Sequence, residues 1–245
     1  MGKGEGAGEG IKGLTKIAIK PECQDVHMSA FADQWVAVDT AGWMYDAVKS
    51  HKAAQMICLK EPDGVMLAFN DVIAKVQSLV RHKVKPVLVI DGGAYPPKRN
   101  TQIERRIKDQ QLIDEGVDAM VREEAGNAAK RFKEAARPTP ELVAMLIAHI
   151  QLLQSQGQHI QIVVAPYEAD AQCAKLLEQG LVSTVISAAE DSDFVTYGMS
   201  SVLYKYSASI LAMKHLKAIT VSILKNGTSY KLNLNITVIS HKLIT

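Results

Sequence analysis

Six acidic residues, Asp39, Asp91, Glu168, Asp170, Asp191 and Asp193, lie at or just beyond the ends of short hydrophobic runs. Those runs read WVAV, KPVLVI, HIQIVVA and STVIS. They are β-branched and bounded by turn residues, the composition of strands buried on both faces of a parallel sheet. In open α/β sheets the ligand site lies beyond the carboxyl ends of the strands, so four strands would aim carboxylates at one edge. Acids crowded in this way raise one another's pKa values unless cations neutralise them. An all-oxygen donor set with open positions suits Mg²⁺ or Mn²⁺ rather than zinc. The chemistry indicated is a divalent-metal site that handles phosphate.

Taken singly, an Asp at a strand end is more often a turn or helix-cap residue. The spacing argues otherwise here. Glu168 and Asp170 follow Ala165-Pro166-Tyr167, and Asp191 and Asp193 form a D-x-D, so each pair can present two carboxylates near one strand end. A phosphatase nucleophile pair is also D-x-D, but it would follow the first strand, where Asp39-Thr40-Ala41 supplies no second Asp.

Hydrophobic periodicity supplies the elements that must position these acids. Strands are expected at Trp35–Val38, Val87–Ile90, Ile160–Val164, Val185–Ser187 and Val202–Lys205. Helices are expected at Trp43–Ser50, Val65–His82, Glu141–Gln156 and Tyr167–Gln179, the last closed by Gly180. Asp91-Gly92-Gly93 marks a tight turn. Alternating strands and helices predict a three-layer α/β/α fold, Rossmann-like, around a mostly parallel sheet with right-handed crossovers. Between Pro96-Pro97 and Pro138 runs a polar, helix-prone segment (98–137) with a weak apolar stripe, which is expected to stand away from the body or bridge something. An amphipathic stretch from Ile11 ends at Pro21. Residues 207–245 show no clean period and no acidic residue, and their periodicity assigns no element.

Lys98, Arg99, Arg105, Arg106 and Lys108 stand against Glu104 alone at the start of the polar segment. A charge run is usually a solvated face. Beside a carboxylate site, phosphate contact is the better reading.

A chain of 245 residues holds one large α/β domain or one domain with an appendage. The 47% apolar and 22% charged composition is that of a globular protein, and a net charge of +2 leaves any polyanion argument to local patches. Three scattered cysteines without a CxxC pair read as free thiols. No apolar run reaches membrane-spanning length and no signal-peptide pattern opens the chain, which predicts a soluble intracellular protein. Asn226-Gly-Thr228 and Asn235-Ile-Thr237 match glycosylation acceptors by chance.

The segments GIKGL (Gly10–Leu14), VAVDT (Val36–Thr40), LVIDGG (Leu88–Gly93), PPKRN (Pro96–Asn100), APYEADAQ (Ala165–Gln172) and EDSDF (Glu190–Phe194) resemble the flap-endonuclease and 5′-exonuclease superfamily, the XPG type. The resemblance is strongest to its eukaryotic 5′-exonuclease branch and spans about residues 10 to 205. It implies a PIN-like core with a helical arch over 96–140, and a Mg²⁺-dependent structure-specific 5′ nuclease acting on DNA in repair or replication. By resemblance, Asp39, Asp91, Glu168 and Asp170 hold a first Mg²⁺, and Asp191 and Asp193, with Asp170, hold a second; Mn²⁺ substitutes. Lys98 and Arg105 match basic residues that contact the scissile phosphate and stabilise transition-state charge, with Arg99 and Arg106 beside them. Tyr45 matches a side chain that stacks on the terminal nucleobase, although an aromatic one turn into a helix is ordinarily core. The implied partners are DNA carrying a 5′ end, flap or nick, and repair or replication proteins. The implied state is a monomer in the nucleus, with no membrane association.

Three departures temper these expectations. Residues 1–10 are Gly/Glu-rich, and the segment from Lys3 to Gly10 extends the Met-Gly-Ile start of family members. The junction Ser187-Ala188-Ala189-Glu190 is one residue longer than usual. After Lys205 the motifs show neither the family's final acidic ligand nor its helix–two-turn–helix. The expectation is therefore an 11–206 catalytic core with an unmatched 207–245 tail, a truncated or mis-joined product of weak activity. The rivals are a non-catalytic nucleic-acid-binding fragment, an inactive product, and a related 5′ nuclease acting on RNA.

Overall fold

The computed structural model describes residues 24–187, 194, 197–204, 212–217, 219–226 and 229–236. Among these, the strands are β1 (Gln24–His27), β2 (Trp35–Asp39), β3 (Lys85–Ile90), β4 (Gln161–Val164), β5 (Thr184–Ser187), β6 (Ser201–Tyr204), β7 (Ala212–Lys217), β8 (Ile219–Asn226) and β9 (Ser229–Ile236). The helices are α1 (Thr40–Val48), α2 (His51–Cys58), α3 (Pro62–Arg81), α4 (Arg99–Val121), α5 (Ala125–Ala135), α6 (Pro140–Ser155) and α7 (Ala169–Glu178).

The main sheet runs β1-β7-β6-β5-β2-β3-β4. Strands β6, β5, β2, β3 and β4 are mutually parallel, while β7 pairs antiparallel with both β6 and β1. Period-two alternation splits the strand residues between two cores. Val36, Val38, Leu88, Ile186 and Leu203 face the layer built by α1, α2, α3 and α6. Ala37, Val87, Val89, Val185 and Val202 face Cys173 and Leu176 of α7. This is the expected α/β/α sandwich. Pro86 sits opposite Val36 but ahead of the first β3–β4 pair, Val87↔Gln161, so its missing N–H is not required by β4.

Local signals set several boundaries. Thr139 accepts a hydrogen bond from the Leu142 N–H at 3.3 Å and Pro140 opens α6, a capped start. Gly180, at φ +69°, follows α7 while Leu181 N–H reaches back to the Leu176 carbonyl at 3.0 Å. That helix starts at Ala169 rather than Tyr167, because Glu168 takes the extended N-cap conformation.

The polar segment is a helical hairpin, α4 and α5, whose distal half is anchored to the body. Leu112, Gly116 and Ala119 form a stripe at i, i+4, i+7 against α5, and Phe132 of α5 is buried in the main core. A Cβ at position 116 would lie 2.7 Å from the Phe132 ring, so glycine permits this close approach. At the base, the Arg137 guanidinium donates to Asp109 Oδ1 at 2.7 Å and to the carbonyls of Glu134 and Ala136. Small residues made the stripe hard to read as a core face.

Strand β1, helix α2 and strands β7–β9 go beyond the elements expected from periodicity. β8 and β9 form a separate antiparallel hairpin with Asn226 opposite Ser229. The Ile11–Lys20 amphipathic stretch, Lys205, Asp191 and Asp193 lie outside the described residues. No helix among the described residues is long and apolar enough to cross a membrane.

Candidate active site

Each described acid is held at the carboxyl edge of the sheet by a helix that starts there. Asp39 ends β2 and caps α1, its Oδ1 accepting from the Gly42 N–H at 3.4 Å. Asp91 follows β3, and its Oδ1 accepts from the Ala169 N–H at 2.8 Å, so one strand's acid caps the helix that follows another strand. Glu168 is the N-cap residue of α7 and Asp170 lies in that helix's first turn. Unpaired N–H groups and the positive helix end favour carboxylates at both places.

Electrostatics bind these residues into one cluster. Asp39, 8% exposed, has its pKa raised from 3.8 to about 8, first by burial and then by the charges of Asp170 and Asp91. Asp91 stays accessible to solvent, yet the protein packed beneath its carboxyl pushes its pKa up. The Ala169 N–H opposes that rise, Glu168 adds to it and Lys98 lowers it. Below the acids, the buried Cys173 thiol is driven well up by burial and then by Asp39, Asp170 and Asp91, so it stays protonated. Cys58 and Cys173 are free, as expected, and Cys23 lies outside the described residues.

Glycine makes the cluster possible. The Gly92 N–H donates to the Tyr167 carbonyl at 2.7 Å and the Gly93 N–H to the Pro166 carbonyl at 3.1 Å, joining the loop after β3 to the loop after β4. A Cβ on Gly92 would fall 1.7 Å from the Ala165 carbonyl oxygen. Gly92→Ala must separate the loops that carry Asp91 and Glu168, and is expected to cost about 1–3 kcal/mol, as overpacking does. Urea denaturation checks this; an unchanged midpoint would contradict it.

Lys98 ends a 3₁₀ turn over Pro96–Lys98 and forms an ion pair with Glu168. Arg99, Arg105, Arg106 and Lys108 are exposed on the first turns of α4. Tyr45 is 39% exposed, with the Lys49 ammonium 5.5 Å from its ring centre, so it is not core; Trp43 takes that role in α1. Two exposed aromatics, Tyr95 and Tyr167, pack edge to face beside these residues with centroids 5.5 Å apart. The sequence motifs gave Tyr167 no role and passed over Tyr95; each stands within four residues of an acid.

The structure thus brings together Asp39, Asp91, Glu168, Asp170 and Lys98. As placed, no three acidic, histidine or cysteine side chains among the described residues converge tightly enough to hold an ion. The donors are nevertheless all oxygens, and a carboxyl raised first by burial and then by its neighbours' charges is an environment that a cation relieves.

The chain matches the XPG N-terminal domain over residues 9–112 and the XPG I-region over residues 159–240. The second match extends past Lys205, into the stretch where the motifs find no counterpart. Exodeoxyribonuclease 1 of Schizosaccharomyces pombe is 32% identical over 196 residues, 80% of this chain and 32% of the relative. Exonuclease 1 of Danio rerio is 31% identical, covering 80% of this chain and 23% of the relative. The DNA damage-inducible protein DIN7 of Saccharomyces cerevisiae is 31% identical, covering 80% and 43%. The chain therefore spans less than half the length of these relatives. Among solved structures, the catalytic core of Rad2 in complex with DNA substrate superposes with a TM-score of 0.56 at 23% identity, over 85% of this chain and 54% of that one. Flap endonuclease-1 from Methanococcus jannaschii gives 0.51 at 20%, over 82% and 62%. These two likenesses bear on the fold alone.

Proposed function

The chain belongs to the XPG-type 5′-nuclease superfamily, eukaryotic exonuclease branch, and we propose that it forms the catalytic part of a Mg²⁺-dependent, structure-specific 5′ nuclease that hydrolyses DNA phosphodiesters near a 5′ end. The observation that carries this reading is the set of carboxylates along the sheet's carboxyl edge, with Asp39 ending β2, Asp91 following β3 and bonded to the start of α7, and Glu168 and Asp170 at that same helix start. Asp39, Asp91, Glu168 and Asp170 would hold one ion, and Asp191 and Asp193, with Asp170, a second. A bound pair of Mg²⁺ or Mn²⁺ ions supplies Lewis acidity that activates water and stabilises the leaving oxygen.

The protein groups do the rest. Lys98, paired with Glu168 in the structure, would offer its ammonium to an incoming phosphate oxygen, and Glu168 would help to hold the cation. Arg105, with Arg99 and Arg106, lines the foot of α4 and neutralises the strand's phosphates. Tyr45 offers an open ring face to the terminal base. The α4–α5 hairpin is the arch beneath which a single-stranded 5′ end passes. Names of relatives such as exodeoxyribonuclease 1 and DNA damage-inducible protein support DNA as substrate and a role in DNA damage; repair or replication proteins as partners and a nuclear site of action rest on the family resemblance alone. The protein would act as a monomer.

A 5′-flap duplex labelled on the flap in one preparation and at the opposite 3′ end in another tests this. Mg²⁺ should yield short products from the 5′ side, and EDTA should abolish them. Binding of the flap without cleavage in Mg²⁺ or Mn²⁺ would favour a non-catalytic module instead, and faster cutting of an RNA flap would reassign the substrate.

A further inference from the structure

Tyr95 and Tyr167 are 41% and 47% exposed, and the main chain of each is hydrogen-bonded. The Tyr167 carbonyl accepts the Gly92 N–H at 2.7 Å, and the Tyr95 carbonyl accepts the Lys98 N–H at 2.9 Å. The rings meet at an interplanar angle of 66°. In that edge-to-face geometry the ring that supplies its edge keeps both its faces uncovered by the partner. Half-exposed tyrosines contribute little to the core, and the hydrogen bonds that join their loops are made by the main chain. Next to Tyr167 in sequence is Glu168, and Lys98, which closes the turn begun by Tyr95, is paired with that same Glu168. The rings are thereby held on the β3–β4 side of the acids, one strand or more from Tyr45, which follows β2.

We propose that Tyr95 and Tyr167 form a second stacking platform, which takes the nucleobase of the nucleotide adjoining the phosphate contacted by Lys98. The inference rests on the nuclease reading and extends it by a subsite of this chain's own. A nucleobase fits because it is flat and aromatic and arrives attached to a phosphate. Stacking on either ring face suits any base, so the platform confers position rather than sequence preference. Tyr45 would hold one base and the tyrosine pair another, and the strand would bend between them over the carboxylates.

The probe is a short oligothymidine carrying one 2-aminopurine at the first, second or third position from the 5′ end, titrated with the whole chain in Ca²⁺. Stacking quenches 2-aminopurine. Wild-type protein, Tyr95→Phe and Tyr167→Phe should quench it at one common position. Tyr95→Ala and Tyr167→Ala should lose that quench and bind roughly tenfold more weakly, the scale of one lost base–aromatic stack. Tyr45→Ala should instead remove quenching at a different position. Unchanged quench and affinity in both alanine variants would overturn the platform while leaving the nuclease reading intact, since Mg²⁺-dependent flap cleavage is scored separately. Failure of the wild type to bind the oligonucleotide at all would overturn both.

Discussion

Without a divalent cation, the protein is expected to lose stability steadily as pH rises from about 4 to about 8, and Asp39→Asn is expected to remove most of that loss. Asp39 has an ordinary pKa of 3.8 and is raised to about 8 in the fold. Between those values the folded state keeps a proton that the unfolded chain has released, so unfolding becomes easier with each added pH unit. The stabilising contribution is complete below the unfolded pKa and is lost as pH climbs through the folded one. The slope is on the order of 1.4 kcal/mol per pH unit, which amounts to several kcal/mol across the window. Asp91, raised in the same direction, adds to the effect. Asparagine keeps the shape and the hydrogen bond from Gly42 but carries no charge, so the variant should be the more stable protein at pH 8 to 9. Mg²⁺ should narrow the difference by stabilising the wild type and not the variant. Denaturation midpoints at several pH values, with Mg²⁺ and with EDTA, check each part; a flat wild-type profile would contradict the placement of Asp39.

The second large effect concerns catalysis. Asp170→Asn is expected to lower Mg²⁺-dependent flap cleavage by roughly 10²–10³-fold or more, the scale seen when a group that stabilises transition-state charge is removed. Asp170 lies in the first turn of α7 and is the leading neighbouring charge that acts on Asp39. Its neutralisation relieves repulsion, so the variant should melt no lower than the wild type at pH 8. Loss of activity without loss of stability separates a metal-binding role from a packing role. Cleavage that survives the substitution, in protein of normal stability, would count against the assignment.

How much of this was legible in the sequence follows from the range of the forces involved. The strands that carry Asp39, Asp91 and Glu168 are runs of adjacent apolar residues, and helix starts such as Thr139-Pro140 are equally local. Helix α2 and the docking of the α4–α5 hairpin were not legible. Gly116 and Ala119 look too small for a core face until the Phe132 ring packs against Gly116. Strand β1 holds one apolar residue in four and exists through its pairing with β7. The β8–β9 pairing did have a local signal, since two runs of alternating hydrophobicity flank Gly227-Thr228, a two-residue connection with glycine first.

Within the site, residue types pointed to the acids and to Lys98, but not to their arrangement. The Gly92–Tyr167 junction, the capping of α7 by Asp91 and the Lys98–Glu168 pair each join residues 70 or more positions apart or cross between strands. Tyr45 shows the same limit from the other side. Its position in the chain suits a core residue, but α1 buries the face that carries Trp43, Met44, Ala47 and Val48 and leaves Tyr45 towards solvent.

The central claim is that the strand-end carboxylates form one divalent-cation site, and Mn²⁺ titration followed by electron paramagnetic resonance tests it most directly. At pH 8 the wild type should take up Mn²⁺, Mg²⁺ should displace it, and Asp91→Asn and Asp170→Asn should each lose most of that binding while remaining folded. Equal Mn²⁺ uptake by wild type and both variants, or none by the wild type, would contradict the account.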